Sequence, residues 1–378
     1  MATSSLLRAG LLCAFAVGLP ALEAGAGAPA KARARAPVEA RLDARPVNEA
    51  RVERVLASMS LRQRVAQLLL AYPQIDKVGP VEVGGLLFVG RSLSDLVKAK
   101  AKIDSSVRRS RIPPFVAVDM EGGDFNRMKS HPAVKDLPSA RAMASLSDEE
   151  VERWGQTVGA SMREIGLNMN LAPVYDIATR GHMFDNGRAF SGDPAVAAAK
   201  ANAFSRGLLR SGVVPIGKHY PGYGSLSGDS DHALVTADWT LEELGKQSNV
   251  FHAGDAWLGG VMMSNVAYTA YGPRPAILNP TLVGMAHARG WMTMTDDVSV
   301  KVLADAVGGT SEDVLREAFL AGNDLLLTTA PPDWAKGLDY VGILVGLVEA
   351  EPSRKAQLDE SCRRVLKLKD RLGMLEGL

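Results

Sequence analysis

The sequence predicts a single (β/α)8 TIM-type barrel, and three observations carry the prediction. Seven short segments are apolar on consecutive residues, the pattern of strands buried on both faces in a parallel sheet covered by helices. They recur at intervals of about 30 to 50 residues with amphipathic helical stretches between them, the spacing of successive strand–helix units. Each is bounded by Gly, Pro or a polar residue. Seven runs leave one strand of the eight unread or irregular, and an open doubly wound sheet is the alternative architecture.

In chain order, Ser60-Leu61-Arg62-Gln63 has the form of a capping box, and Leu61, Val65, Leu68 and Leu69 follow at helical spacing, so a capped amphipathic helix opens the domain. The strand runs are Gly84 to Gly90, Phe115 to Asp119, Leu167 to Asp176, Val213 to His219, Gly259 to Asn265, Trp291 to Asp296 and Asp324 to Thr328. A last helix near Ser353 to Leu372 is closed by Gly373. The 378 residues allow two domains by length, but single barrels of about 250 residues and more are routine and no segment is left over for a second one. Residues 48–378 are read as one barrel domain.

Residues 1–26 carry Arg8, an apolar stretch from Ala9 to Leu22 and a small-x-small site, Ala24-Gly25-Ala26, the layout of a secretory signal peptide. That stretch falls short of the ~20 residues that cross a bilayer and contains Pro20, so stable membrane insertion is not expected. The expected destination is the periplasm or the exterior. Leu12 is large for the position before a lipid-anchored cysteine at Cys13. Residues 27–47, rich in Ala, Arg and Pro, read as a linker. Cys362 is then the one cysteine of the mature chain, and no intrachain disulfide is available. Lys and Arg total 43 against 42 Asp and Glu, a formal net charge of +1 that gives no field for binding nucleic acid or anionic membrane.

In a barrel of this kind chemistry gathers at the C-terminal strand ends. The polar residues that stop the runs are Arg91, Asp119, Asp176, Lys218 with His219, Asn265 and Asp296. Any one of them could be a helix cap or a solvated rim residue, but six runs ending this way converge on one rim. Residue types exclude several chemistries. The six histidines form no HExxH pair and one mature cysteine builds no thiolate zinc site, so no metal is expected. No GxxxxGK[ST] loop is present, Gly222-Tyr223-Gly224 lacks the third glycine of a dinucleotide fingerprint, and no cofactor is expected. Gly-x-Ser-x-Gly is absent too. A carboxylate-rich rim with Lys, Arg and His remains, a set able to hydrogen-bond vicinal hydroxyls and to do acid/base or nucleophilic work on a glycosidic bond.

The stretches Ala117-Val118-Asp119-Met120-Glu121-Gly122-Gly123, Leu171-Ala172-Pro173-Val174-Tyr175-Asp176, Gly187-Arg188-Ala189-Phe190, Gly217-Lys218-His219-Tyr220-Pro221-Gly222 and Thr295-Asp296-Asp297-Val298-Ser299 resemble family 3 glycoside hydrolases. The likeness is greatest to the bacterial β-N-acetylglucosaminidase branch, which trims N-acetylglucosamine from peptidoglycan fragments, and it runs from about Met59 to Leu375. It implies an exo-acting, retaining β-N-acetylhexosaminidase with Asp296 as nucleophile. It implies that Asp119, Arg127, Arg188, Lys218 and His219 grip the terminal sugar, with Asp176 in a supporting role. That branch's minimal members complete their site within one chain, so a monomer is expected.

The acid/base departs from the pattern. In that branch an aspartate and a histidine follow the motif lysine by eleven and thirteen residues; here those positions hold Asp229 and Asp231, and the histidine comes one place late as His232. Tyr223 also replaces a histidine, Asn265 stands where many of the branch have histidine, and Asp124 where arginine is usual. A one-residue shift in an extended loop turns a side chain to the opposite side unless a bulge restores it. Three readings stay open: His232 acts with Asp229 or Asp231, Asp231 is itself the acid, or the acid/base is missing or supplied differently. The last leaves a slow enzyme or an inactive glycan-binding protein.

Overall fold

The computed structural model of the chain describes residues 41–42, 45–72, 83–330 and 339–378. The expected signal peptide and most of the expected linker lie outside them, as does the Arg91 side chain. Eight strands, Leu69–Ala71 (β1), Gly85–Leu87 (β2), Phe115–Val118 (β3), Met169–Asn170 (β4), Val214–Tyr220 (β5), Gly260–Met263 (β6), Met292–Thr295 (β7) and Leu326–Thr328 (β8), form one parallel sheet. Its order is β7-β6-β5-β4-β3-β2-β1-β8. The register Leu69↔Leu326 joins the first strand to the last. A bridge Met294↔Leu325 and the Thr295 N–H donated to the Leu325 carbonyl at 2.9 Å bring β7 to β8 and close the ring. The closed parallel barrel is the architecture expected, and the open sheet is set aside.

The strand left unread is β1. The capped helix does not open the domain, because a helix Glu49–Ala57 precedes it; it has its capping box between Ser60 and Gln63 but ends at Ala66, and Leu69, expected on that helix, begins the first strand. A three-residue strand directly after an amphipathic helix prolongs the same apolar run, and periodicity over so few residues does not separate the two. The run Leu167 to Asp176 forms a ladder only at Met169–Asn170 and one further bridge, Val174↔Lys218. Pro173 between them has no N–H to give.

Consecutive apolar residues serve both faces. Leu70, Leu87, Ala117, Ile216 and Met294 fill the barrel interior, while Leu69, Leu86, Val116 and Val118 pack outward against the helices. The N-terminal mouth is stopped by Val365 and Leu368 of the last helix, Arg354–Arg371, together with Leu42. Leu42 lies in the stretch expected as linker, yet it is buried and its N–H donates to the Ala256 carbonyl at 2.8 Å. Arg45 Nη2 likewise donates to the Leu209 carbonyl at 3.2 Å. The packed fold therefore reaches back to Leu42, one bulky apolar residue that the surrounding Ala/Arg/Pro composition conceals. Among the described residues no helix is long and apolar enough to cross a membrane.

Candidate active site

At the C-terminal rim a cavity of about 330 Å³ is bordered by Asp119, Glu121, Arg127, Arg188, Lys218, His219, Asp229, Asp231 and Asp296. The fold brings them there from separate elements. Asp119 directly follows β3, Lys218 and His219 are the two residues before the last of β5, and Asp296 directly follows β7. Arg188 comes from the loop before the helix Pro194–Arg210, and Asp229 and Asp231 from the loop after β5.

One side of the cavity is a dense network of paired charges. Lys218 Nζ donates to Asp119 Oδ1 at 2.8 Å and lies 2.6 Å from Glu121 Oε1. Arg188 grips Glu121 through two parallel bonds, Nε to Oε2 and Nη2 to Oε1, each 2.8 Å. Such forked pairs fix geometry as well as charge. Burial works against the charge of Glu121, but Arg188 and Lys218 outweigh it and hold its carboxyl far below the usual carboxylate range. Burial likewise opposes the charge on Lys218, and Asp119 and Glu121 outweigh it, so the ammonium keeps its proton more firmly than an exposed lysine. His219 bonds through Nδ1 to Asp176 Oδ2 at 2.7 Å. With that nitrogen donating to the carboxylate, Nε2 is left to accept from Arg188 Nη2 at 3.3 Å. Asp176 is fully buried and also accepts from the backbone N–H groups of His219 and Tyr223, which makes it a positioning residue for the ring. Arg127 stands apart: its Nε is buried without a hydrogen-bond partner, and its guanidinium lies 5.4 Å from the Phe125 ring centre.

Two further carboxyl groups border the same cavity, and the charge of one acts on the other. Burial raises the Asp296 carboxyl, the charge of Asp231 adds to the effect, and His219 and Lys218 act in the opposite direction; the result is a pKa of about 6. Asp231 is an exposed residue at the cavity rim. The atoms crowded around its carboxyl raise its pKa, and the charges of Asp229 and Asp297 add to the effect against Arg188 and His232. Two like charges so placed disfavour simultaneous ionisation, and one carboxyl tends to hold the proton while the other stays ionised.

The loop that carries the expected acid/base brings some of its residues to the cavity and not others. Asp229 and Asp231 border it, and Asp229 Oδ1 accepts from the Asp231 N–H at 3.0 Å. His232 is outside: its side chain is 84% exposed and faces a neighbouring groove with Leu234, Lys301 and Val302. Its Nε2 stands 3.9 Å from Asp229 Oδ2, beyond hydrogen-bond range. Asn265 does not border the cavity, and both its amide atoms are buried without partners.

Several bordering residues were not assigned from the sequence. Glu121 lies in a quoted motif, and the signal was the second acidic residue two positions past Asp119. His182 and Asn186 reach the cavity from the short helix Gly181–Asp185 and its end. Burial lowers the His182 pKa, with the charge of Asp229 working against it. Asp297 and Thr329 also border the cavity and are joined by hydrogen bonds, and Asp297 Oδ1 accepts from the Ser299 N–H at 2.9 Å. Among the described residues no three His, Cys, Asp or Glu side chains gather as a metal site.

A barrel with two mutually influencing carboxyl groups beside a cluster of arginine, lysine and histidine, all bordering one cavity at the C-terminal rim, fits the class of glycoside hydrolases. Residues 60–368 match the glycosyl hydrolase family 3 N terminal domain. The chain belongs to that family. It is 28% identical over 295 residues to a beta-hexosaminidase of Chromobacterium violaceum, a match spanning 75% of this chain and 80% of that one. It is 33% identical over 198 residues to a beta-hexosaminidase of Pseudomonas aeruginosa, spanning 52% of this chain and 59% of that one. The crystal structure of beta-N-acetylhexosaminidase from Beutenbergia cavernae superposes with a TM-score of 0.72 at 29% identity, covering 82% of this chain and 98% of the other.

Proposed function

We propose that the protein is an exo-acting β-N-acetylhexosaminidase that removes terminal β-linked N-acetylglucosamine from peptidoglycan fragments or related glycans in two steps with retention. The observation that carries this reading is that the Asp296 and Asp231 carboxyls border one small cavity and act on each other's charge, in a cavity that Arg188, Lys218 and His219 border as well. A cavity of about 330 Å³ is at the small end for ligand sites and suits one sugar residue, hence attack at a chain end. The names of the family relatives support an N-acetylhexosamine as that sugar.

In the first step the Asp296 carboxylate attacks the anomeric carbon while the one proton that the Asp296 and Asp231 carboxyls share passes through Asp231 to the departing glycosidic oxygen. A glycosyl ester on Asp296 remains. In the second step Asp231, now ionised, takes a proton from water as that water attacks the anomeric carbon and releases Asp296. Asp119, Lys218 and Arg188 hold the sugar hydroxyls through charge-assisted bonds, and Arg127, whose Nε has no hydrogen-bond partner, adds a further donor. What favours Asp231 over His232 as acid is that Asp231 borders the cavity, whereas His232 borders only the neighbouring groove, which Asp231 also reaches. Export on residues 1–26 and a monomeric working state belong to the same proposal.

The test is the initial rate on an aryl β-N-acetylglucosaminide and on diacetylchitobiose, for the protein and for Asp296→Ala, Asp231→Ala and His232→Ala. Asp296→Ala is expected to lose on the order of 1,000-fold or more on both substrates, and Asp231→Ala about 100-fold on the disaccharide. His232→Ala is expected to stay within about twofold. A dead His232→Ala beside an active Asp231→Ala would move the acid to the histidine. No turnover by the parent, with binding of N-acetylglucosamine retained, would make the protein a glycan binder.

A further inference from the structure

We infer that Tyr223 is the positioning residue of the acid/base loop: its phenol clamps the segment Gly228–Asp231 over the cavity and so turns Asp231, and not His232, toward the sugar. The inference rests on the reading of Asp231 as the acid, and the observation behind it is a bridge. Tyr223 Oη donates to the Gly228 carbonyl at 2.8 Å and accepts from the Ser230 N–H at 3.1 Å. One hydroxyl thereby ties together two points of the loop, on either side of Asp229 and immediately before Asp231.

The clamp itself is fixed at its base. Tyr223 is 1% exposed, and its own N–H donates at 2.6 Å to Asp176, the carboxylate that also orients His219. Its ring meets the His219 ring edge-on at 5.9 Å between centroids. The glycines on either side allow close packing that holds it there. A Cβ at Gly222 would lie 2.5 Å from Gln247 Cβ, and one at Gly224 would lie 2.6 Å from Trp239 Cη2, and both residues have positive φ, 137° and 63°. A side chain at either position would crowd Gln247 or Trp239 and strain the backbone that carries the tyrosine. The loop is thus connected through one rigid side chain to the carboxylate–histidine pair of the sugar-binding side. A free loop of this length would sample several orientations, and the register of Asp231 against His232 would not be fixed by its own sequence. Asp229 helps by accepting from the Asp231 N–H, a local turn that sets the carboxyl next to it.

Removing the bridge leaves Asp231 in the sequence but not held in place. Its proton transfer matters most for a poor leaving group, because an activated phenolate departs with little protonation. The experiment compares Tyr223→Phe, Asp231→Ala and the parent in kcat/KM on diacetylchitobiose and on a dinitrophenyl β-N-acetylglucosaminide, with amide hydrogen exchange at Ser230. The expected result for Tyr223→Phe is a fall on the order of 10-fold on the disaccharide, a change within about twofold on the dinitrophenyl substrate, and faster exchange at Ser230. Asp231→Ala shows the same split with a larger fall, and combining the two substitutions adds little to Asp231→Ala alone. Equal falls on both substrates would mark a merely structural tyrosine and overturn the inference, as would unchanged kinetics or unchanged exchange. If Asp231→Ala shows no split while the parent is active, the acid assignment fails first and the positioning role with it. A parent inactive on both substrates overturns the hydrolase reading itself.

Discussion

Asp296 keeps its proton to a higher pH than an exposed aspartate because burial and the nearby Asp231 both penalise its charge, which gives a pKa of about 6. A nucleophile must be ionised, so kcat/KM on an activated aryl substrate is expected to rise with pH and level off above about 6. Asp231→Asn removes the repelling charge and should move that rise toward lower pH, which a pH profile on the dinitrophenyl substrate reads directly. The same shift affects stability. Above about pH 4 an unfolded aspartate releases its proton while folded Asp296 retains it, so the folded state binds the extra proton and stability falls as pH climbs from about 4 to about 6. Asp296→Asn carries no charge and should be more stable than the parent at pH 7, by no more than about 3 kcal/mol, with the difference vanishing near pH 4. Thermal melts at the two pH values check it. The strand-end aspartates and Lys218 were visible in the sequence because each stops an apolar run. Glu121 was not, because it stands past the strand in the short hairpin of Met120–Gly122 with Phe125–Asn126, where no periodicity points inward.

Elements that read clearly were those with local chemistry. The capping box at Ser60 and Gln63 is present as the sequence implies, and the structure adds two of the same form, at Ser147 with Glu150 and at Thr240 with Glu243. What was hidden depended on the rest of the chain: β1 merged into its preceding helix, and the orientation of His232 depended on a hydroxyl at Tyr223. The last helix holds another such case. Lys369 is fully buried below the barrel, its Nζ donating to Gln67 Oε1 at 2.7 Å and lying 5.2 Å from the Phe115 ring centre. Burial pushes its pKa down to about 7. Between about pH 7 and pH 10 the unfolded chain therefore binds one more proton than the folded one, and stability rises with pH across that window. Lys369→Met keeps the bulk and removes the titration. It is expected to be more stable than the parent in urea at pH 7, with the gap closing toward pH 10; a gap that stays constant would dismiss the effect.

For the molecule as a whole, chemistry and closure sit at opposite mouths of the barrel. Leu42, Val365 and Leu368 stop the N-terminal mouth, and the cavity opens at the other. A version of the chain beginning at Asn48 should accordingly lose stability against one beginning at Pro37, by about 2 to 4 kcal/mol for the lost apolar plug, with kcat/KM unchanged. Denaturant melts and one rate measurement on each form decide it. Closure also has an order in time. β1 pairs with β8, and Leu42 rests on the helix that ends at Arg371, so the first and last parts of the barrel are each other's neighbours. A chain that emerges from its N-terminus can form the intermediate strand–helix units as they appear, but the ring waits for β8. Until then the edges of β1 and β7 stay unpaired, and the newly made protein is an open sheet with two sticky borders.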